Sequence, residues 1–265
     1  DLNAYPPVSL DFTAFLWRLK KASYKKSNIT LVAPSSWVEN IAQLSPLLRD
    51  FPLVRIPTGV DLFEYNLKVR ERFKNYSREK MNINKDAVVI LFAAHVLDDH
   101  SRKGGQHLIA ALQIIGNIPN CVVVLAGMGG EKLAEKLPIQ CRLAGYIKDS
   151  KEMAKVYAVA DISVVPSTDE NLANTALEAM ACGLPVVAFD SGGMKDAIKH
   201  LETGYLAVSG NSDDLAKGIK LFLDDDEKRI NIGHAANELI HREFGINLQA
   251  ERFSDLYHEV LRCSS

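Results

Sequence analysis

The run Pro166-Ser-Thr-Asp-Glu170-Asn-Leu-Ala-Asn174-Thr175-Ala176-Leu-Glu178-Ala-Met-Ala-Cys-Gly183-Leu-Pro185-Val-Val-Ala-Phe-Asp-Ser-Gly-Gly193 decides how this chain folds. It reads as the end of a strand, a loop, a short helix, a second strand and a second loop. Two carboxylates lie eight positions apart, Glu170 on the loop and Glu178 inside the helix. A loop-to-helix junction aims unpaired backbone N–H groups and the positive end of the helix dipole at one spot, which suits an anion. Carboxylates repel phosphate, so Glu170 and Glu178 are better used as acceptors for ligand hydroxyls. Together these features describe a site for something both phosphorylated and hydroxyl-rich, and a nucleotide sugar fits. A structural alternative stands beside this reading. Thr175-Ala-Leu-Glu178 is also a capping box, in which Glu178 bonds back to the backbone of Thr175. In that reading Gly183 is the C′ residue of the helix and Pro185 the stop after it.

Outward from this run, strands and helices alternate. Strands are expected at 29–33, 52–57, 87–94, 121–126, 142–144, 162–165 and 185–189. Helices are expected at 10–26, from a Ser35 cap to 43, at 68–80 and 105–115, near Glu131, Lys151, Thr175 and Met194, and at 212–223, 227–243 and 247–262. Such alternation implies an α/β, Rossmann-like doubly wound parallel sheet, with ligands at the carboxyl ends of its strands. The first helix carries Phe12, Phe15, Leu16, Leu19 and Ala22 at helical spacing, a core stripe. Its basic residues Arg18, Lys20, Lys21, Lys25 and Lys26 read as a solvated face; contact with anionic lipid is the weaker alternative.

Composition sets outer limits. The chain has 265 residues, 47% hydrophobic and 24% charged, a globular profile with ample core. A net charge of -2 gives no bulk electrostatic case for nucleic acid. No apolar run reaches the ~18 residues of a membrane span. The sequence starts at Asp1 without Met or a signal peptide, which reads as a fragment or processed form. Cys121, Cys141, Cys182 and Cys263 lack metal-ligand spacing and read as reduced thiols of a cytoplasmic protein. His95, His100 and His107 form no i, i+4 pair, so no metal is expected. Asp224-Asp225-Asp226 reads as an N-cap cluster rather than a metal motif, and Gly127-Met-Gly-Gly130 as a tight turn.

The 166–193 run resembles the signature of retaining GT-B glycosyltransferases, specifically glycosyltransferase family four: two Glu residues separated by seven, then Ala-Met-Ala-x-Gly-x-Pro-Val-Val and a Gly-Gly loop. Ile56-Pro-Thr-Gly59-Val-Asp61 is similar to the family's hinge, with Thr58 where Asn is usual. Arg102-Lys103-Gly104, the glycine turns at 125–129 and 143–146, the strand at 158–167 and Glu202-Thr-Gly204 also match. The form Glu170-Asn-Leu-Ala-Asn-Thr175 resembles the bacterial exopolysaccharide branch, colanic-acid-like enzymes among them.

The resemblance implies a donor-binding half of a two-domain hexosyltransferase that acts with retention on a glycan or lipid-linked acceptor. It divides the chain into 1–52, the helical tail of the acceptor-binding half; 53–246, the nucleotide-sugar-binding domain; and 247–265, a crossover helix that here would pack on 10–45. Lys103 and Arg102 would stabilise charge on the leaving phosphate, assisted by N–H groups at Asn174, Thr175 and Ala176. Glu178 would hold the ribose, Glu170 the sugar, and Tyr146 and Ile147 the base. Gly59 would sit at the donor site. His95 stands where the family often has Arg, so Arg102 or His95 takes that role. The implied donor is a UDP- or GDP-sugar, with no metal and no other cofactor. The whole protein would be cytoplasmic, with the inner face of the membrane left open as a peripheral location. Since the acceptor half is incomplete, this chain is expected to bind donor without completing transfer. A nucleotide-sugar epimerase or an idle binding module are the alternatives.

Overall fold

The computed structural model describes residues 12–97, 102–116 and 118–264. His100 lies outside them. In chain order the first elements are α1 (Thr13–Tyr24), β1 (Leu31–Ala33), α2 (Ser36–Leu44), β2 (Leu53–Arg55) and α3 (Leu67–Lys80). Then follow β3 (Val88–Val96), α4 (Gly105–Ile115), β4 (Cys121–Met128), α5 (Gly130–Ala134), β5 (Cys141–Gly145) and α6 (Ser150–Val159). The chain continues through β6 (Ile162–Val165), α7 (Asn174–Ala181), β7 (Val186–Phe189), α8 (Met194–Ala197) and β8 (Gly204–Ala207). It ends in α9 (Ser212–Asp224), α10 (Asp226–Glu243) and α11 (Ile246–Ser264).

The main sheet has six parallel strands in the order β5-β4-β3-β6-β7-β8. Alternation along β3 shows why it is doubly wound. Val89, Leu91 and Ala93 enter a core with Tyr157, Leu177 and Met180, whereas Ile90 and Phe92 enter another with Leu108, Leu112 and Phe222. Helices therefore cover both faces. The chain winds outward from β3 to β5 on one side and from β6 to β8 on the other. The switch point falls between β3 and β6, where such sheets place their ligands. β8 is a strand that the sequence pattern did not reveal: four residues at the sheet edge, with Tyr205 and Leu206 only half-buried, give little periodicity.

Helix starts follow side-chain chemistry. Ser35, Asn66, Asp149, Asn211 and Asp225 each accept a backbone N–H three residues on, and Asp225 is the cap expected within the Asp224–226 cluster. β1 and β2 form a separate parallel pair, so β2 joins the first segment through its hydrogen bonds and not the six-stranded sheet. The first segment is thus not only helical, and its pairing runs past the 52/53 division. The apolar stripe of α1 does not pack inward: Phe15 is 63% and Leu19 54% exposed, and no residue of α1 is buried. α11 starts on the 59–60 turn, where Ile246 N–H bonds the Val60 carbonyl at 2.9 Å. No helix among the described residues is long and apolar enough to cross a membrane.

Cys121 and Cys182 are buried and Cys141 is half-buried, all as free thiols. Burial pushes Cys121 up to about 11 and Cys182 up to about 12, which keeps both as unreactive thiols.

Candidate nucleotide-sugar site

Two adjoining cavities, each about 250 Å³, open at the switch point. They share Ala93, Ala94, His95 and Thr175, so they are two compartments of one crevice. The first is lined by Tyr65, Tyr146, Ile147 and Glu178; the second by Lys103, Ser167, Glu170 and Asn174.

A bulge builds the wall between them. Ala93 pairs with Ala126 and Val96 with Met128, leaving one extra residue on β3 at 94–95. Bulges beside functional sites re-aim side chains. Here the extra residue sets the His95 ring edge-on to Tyr146, with ring centroids 4.9 Å apart.

Backbone crowding fixes the second compartment. Gly104 has φ +79, and a Cβ there would lie 1.9 Å from the Pro166 carbonyl oxygen. Gly192 has φ +55, and a Cβ there would lie 1.6 Å from the Glu170 carbonyl oxygen. Only glycine permits these approaches. They bring the loop carrying Lys103 and the loop carrying Glu170 together, and Lys103 Nζ donates to Glu170 Oε2.

α7 rules out the capping-box reading of Glu178. Its N-cap is Ala173, without a side-chain cap, so Thr175 lies within the helix and forms no capping box. Glu178 Oε2 instead accepts the Tyr157 hydroxyl at 2.7 Å. Burial holds the Glu178 carboxyl above its usual range, against the opposing effect of that hydrogen bond. A half-buried carboxylate oriented by a buried tyrosine is suited to accept ligand hydroxyls. The C-terminal end is as expected: Gly183 has φ +71, and the Leu184 N–H bonds the Ala179 carbonyl at 3.0 Å.

The N–H of Ala176 is taken by the Ala173 carbonyl at 3.0 Å, so this residue offers no donor to a ligand. Asn174 and Thr175 N–H have no acceptor among the described residues and line the crevice at the positive end of α7. Arg102 is exposed and lines neither compartment; its carbonyl accepts the Thr168 N–H at 2.9 Å. Gly59 also lies elsewhere. A Cβ there would meet Ile246 Cα at 2.6 Å, so its glycine serves packing against α11. The structure therefore gathers Lys103, Glu170, Glu178, Asn174, Thr175, Tyr146, Ile147 and His95, but not Arg102, Ala176 or Gly59.

Sequence reading missed the role of Tyr157 and, at Ser35, saw the helix cap but not the contact with Asn171. Tyr157 is hidden in an apolar stretch of α6 and reads as core. Ser35 is fully buried, accepts the Val38 N–H at 3.2 Å and donates to Asn171 Oδ1 at 2.5 Å, bracing the loop beside Glu170. Ser35→Ala should cost roughly 1 kcal/mol of stability through the lost cap. It should also lower affinity for UDP-glucose at least threefold more than for UDP, on the expectation that Glu170, while neutralised by Lys103, bonds the sugar hydroxyls. Calorimetric titration with both ligands checks this, and equal losses would mean that Ser35 does not hold the loop.

The profile of the family described as glycosyl transferases group 1 matches residues 73–239. N-acetyl-alpha-D-glucosaminyl L-malate synthase of Bacillus anthracis is 28% identical over 173 residues, 63% of this chain and 45% of its own length. The chain spans about half the length of the curated relatives it matches. Among solved structures, sucrose-phosphate synthase of Thermosynechococcus elongatus superposes with a TM-score of 0.79 at 24% identity, covering 97% of this chain and 65% of the other. Anabaena HepE in complex with UDP and glucose gives 0.73 at 21% identity, covering 93% and 67%. These two likenesses are of fold.

Proposed function

The chain belongs to the group 1 glycosyl transferases and has their GT-B type α/β fold, and on that premise we propose that its crevice binds the nucleotide diphosphate sugar donor of a retaining hexosyltransferase. The observation that carries the reading is the pair of carboxylates on either side of the α7 N-terminus: Glu178 held by Tyr157 and Glu170 held by Lys103. In this reading Tyr146 and Ile147 take the base and Glu178 the ribose hydroxyls. Asn174 and Thr175 N–H with Lys103 take the diphosphate, while Glu170 takes the sugar hydroxyls. HepE is a fold relative described with UDP and glucose, which favours UDP as the nucleotide to try first.

Cleavage of the sugar–phosphate bond leaves negative charge on the departing diphosphate. Catalysis therefore needs donors aimed at that charge. Lys103 and the α7 N-terminus supply them, and His95, between the compartments, is the further candidate. The whole protein would pass the hexosyl group to a glycan or lipid-linked acceptor in polysaccharide assembly. Donor binding needs no metal in this scheme, since cationic and N–H groups of the chain face the phosphates.

Glu178→Gln separates this reading from a structural role. Charge-assisted hydrogen bonds contribute roughly 1.5–3 kcal/mol each, so UDP affinity should fall by about 10-fold to 100-fold. Stability should move the other way. The carboxyl is shifted up in the folded state, so its ionisation costs stability as pH rises from about 4.3 through the raised value. Gln abolishes that loss, and the melting temperature at pH 7 should hold or rise. Titration with UDP and UDP-glucose in EDTA, paired with thermal unfolding, checks both. Unchanged affinity with lost stability would refute the ribose role, and a requirement for manganese would refute the metal-free scheme.

A further inference from the structure

A larger groove, about 690 Å³, lies behind the base compartment between α3 and α6. Tyr146, Ile147, Lys148 and Asp149 line both it and the first compartment, so this loop is the wall between them. The floor is apolar: Met81, Ala144, Ile147 and Val156. That size and lining suit a drug-sized organic molecule.

The charges around the rim are unequal in their availability. Asp149 accepts the Glu152 N–H at 3.0 Å as the cap of α6, and Glu152 pairs with Lys155 at 2.6 Å. Among the described residues, Lys80 and Lys148 have no carboxylate partner, and both are exposed. Lys80 Nζ lies 5.7 Å from the centroid of the Tyr76 ring, which also lines the groove. The groove therefore combines an apolar floor with two cations whose charge no carboxylate among the described residues offsets, a complement to an anion.

We propose that this groove is an effector site for an anionic small molecule with a flat apolar body. The body lies on Met81, Ala144 and Val156, and the anionic group sits over Lys80 and Lys148. Since loop 146–149 is shared, occupancy of the groove changes nucleotide affinity in the crevice, and the nucleotide changes effector affinity by the same factor. Only this coupling rests on the nucleotide reading of the crevice.

The test uses anilinonaphthalene sulfonate, an aryl body with one anion, titrated by fluorescence into the whole chain. Lys80→Glu and Lys148→Glu, both surface changes, should each weaken the saturable component at least fivefold. Glu178→Gln should leave it unchanged, which excludes dye bound in the nucleotide compartment. Saturating dye should shift the UDP dissociation constant at least threefold in the wild type and not in Lys80→Glu. Equal dye affinity in wild type and both lysine variants would overturn the site, as would loss only on replacing Lys20 and Lys21 of α1. An unmoved UDP affinity would overturn the effector role. Failure of UDP to bind at all would count against the proposed function, with the dye arm still deciding the groove.

Discussion

Asp161→Asn is expected to lower stability by about 3–5 kcal/mol, the cost of breaking a buried ion pair from one side. Asp161 opens β6 at the end of the sheet opposite the crevice. Its carboxylate meets Arg78 at 2.6 Å, Lys74 at 2.9 Å and the Val89 N–H at 2.9 Å, with Arg70 at 3.9 Å. Arg78 is 3% exposed and also donates to the carbonyls of Val159, Lys85 and Ala87. Removing the one carboxylate leaves buried cations without a counter-charge. Thermal unfolding should show a drop of about 10 °C, while UDP affinity of the folded variant stays at the wild-type value. A variant that melts within 2 °C of wild type would refute the account.

The same cluster sets an acid limit. Burial acts to raise the Asp161 carboxyl, but Lys74 and Arg78 outweigh it and hold the group below the ordinary range. A depressed carboxyl adds stability that is present above its unfolded value, about 3.9, and is lost as pH falls from there through the folded value. Loss of stability below about pH 4 should therefore be shallower in Asp161→Asn than in wild type.

This cluster was not legible in the sequence. Arg70, Lys74 and Arg78 read as the polar face of an ordinary helix, because nothing local says that a carboxylate 83 positions after Arg78 will meet them. What local chemistry dictates was legible. Ser35 and Asp225 announce helix starts through their own side chains, whereas Gly104 and Gly192 were legible only as motif glycines, and their close approach to Pro166 and Glu170 appears only in the fold. The spacing of Glu170 and Glu178 singled out two residues that line the crevice, but not its place at the switch point between β3 and β6. Tyr157 was hidden because a phenol within an apolar helix looks like core until its hydroxyl is seen on Glu178. Gly59 was misplaced for the converse reason. A motif glycine suggests a ligand, whereas here α11 demands the space. Arg102 shows the limit of adjacency: it precedes Lys103, yet its side chain does not line the crevice.

Lys103→Ala is expected to weaken UDP-sugar binding by about 2–5 kcal/mol, roughly 300-fold at the midpoint. Two losses combine. One cation that faces the diphosphate disappears, and Glu170, whose side chain is 13% exposed, loses its partner and presents an uncompensated carboxylate to an incoming dianion. The second loss can be isolated. In the double variant Lys103→Ala/Glu170→Gln the repulsion is gone, and affinity should recover at least tenfold over the single variant, a strong coupling in a double-mutant cycle. UDP lacking the sugar should show the same recovery, since the repulsion is with phosphate. If the proposed transfer holds, turnover by Lys103→Ala in the complete protein should fall about 100-fold, a barrier roughly 3 kcal/mol higher, because the leaving diphosphate gains charge in the transition state. If the double variant binds no better than the single one, Glu170 does not face the phosphates, and Lys103 acts as a simple clamp that leaves Glu170 for the nucleotide.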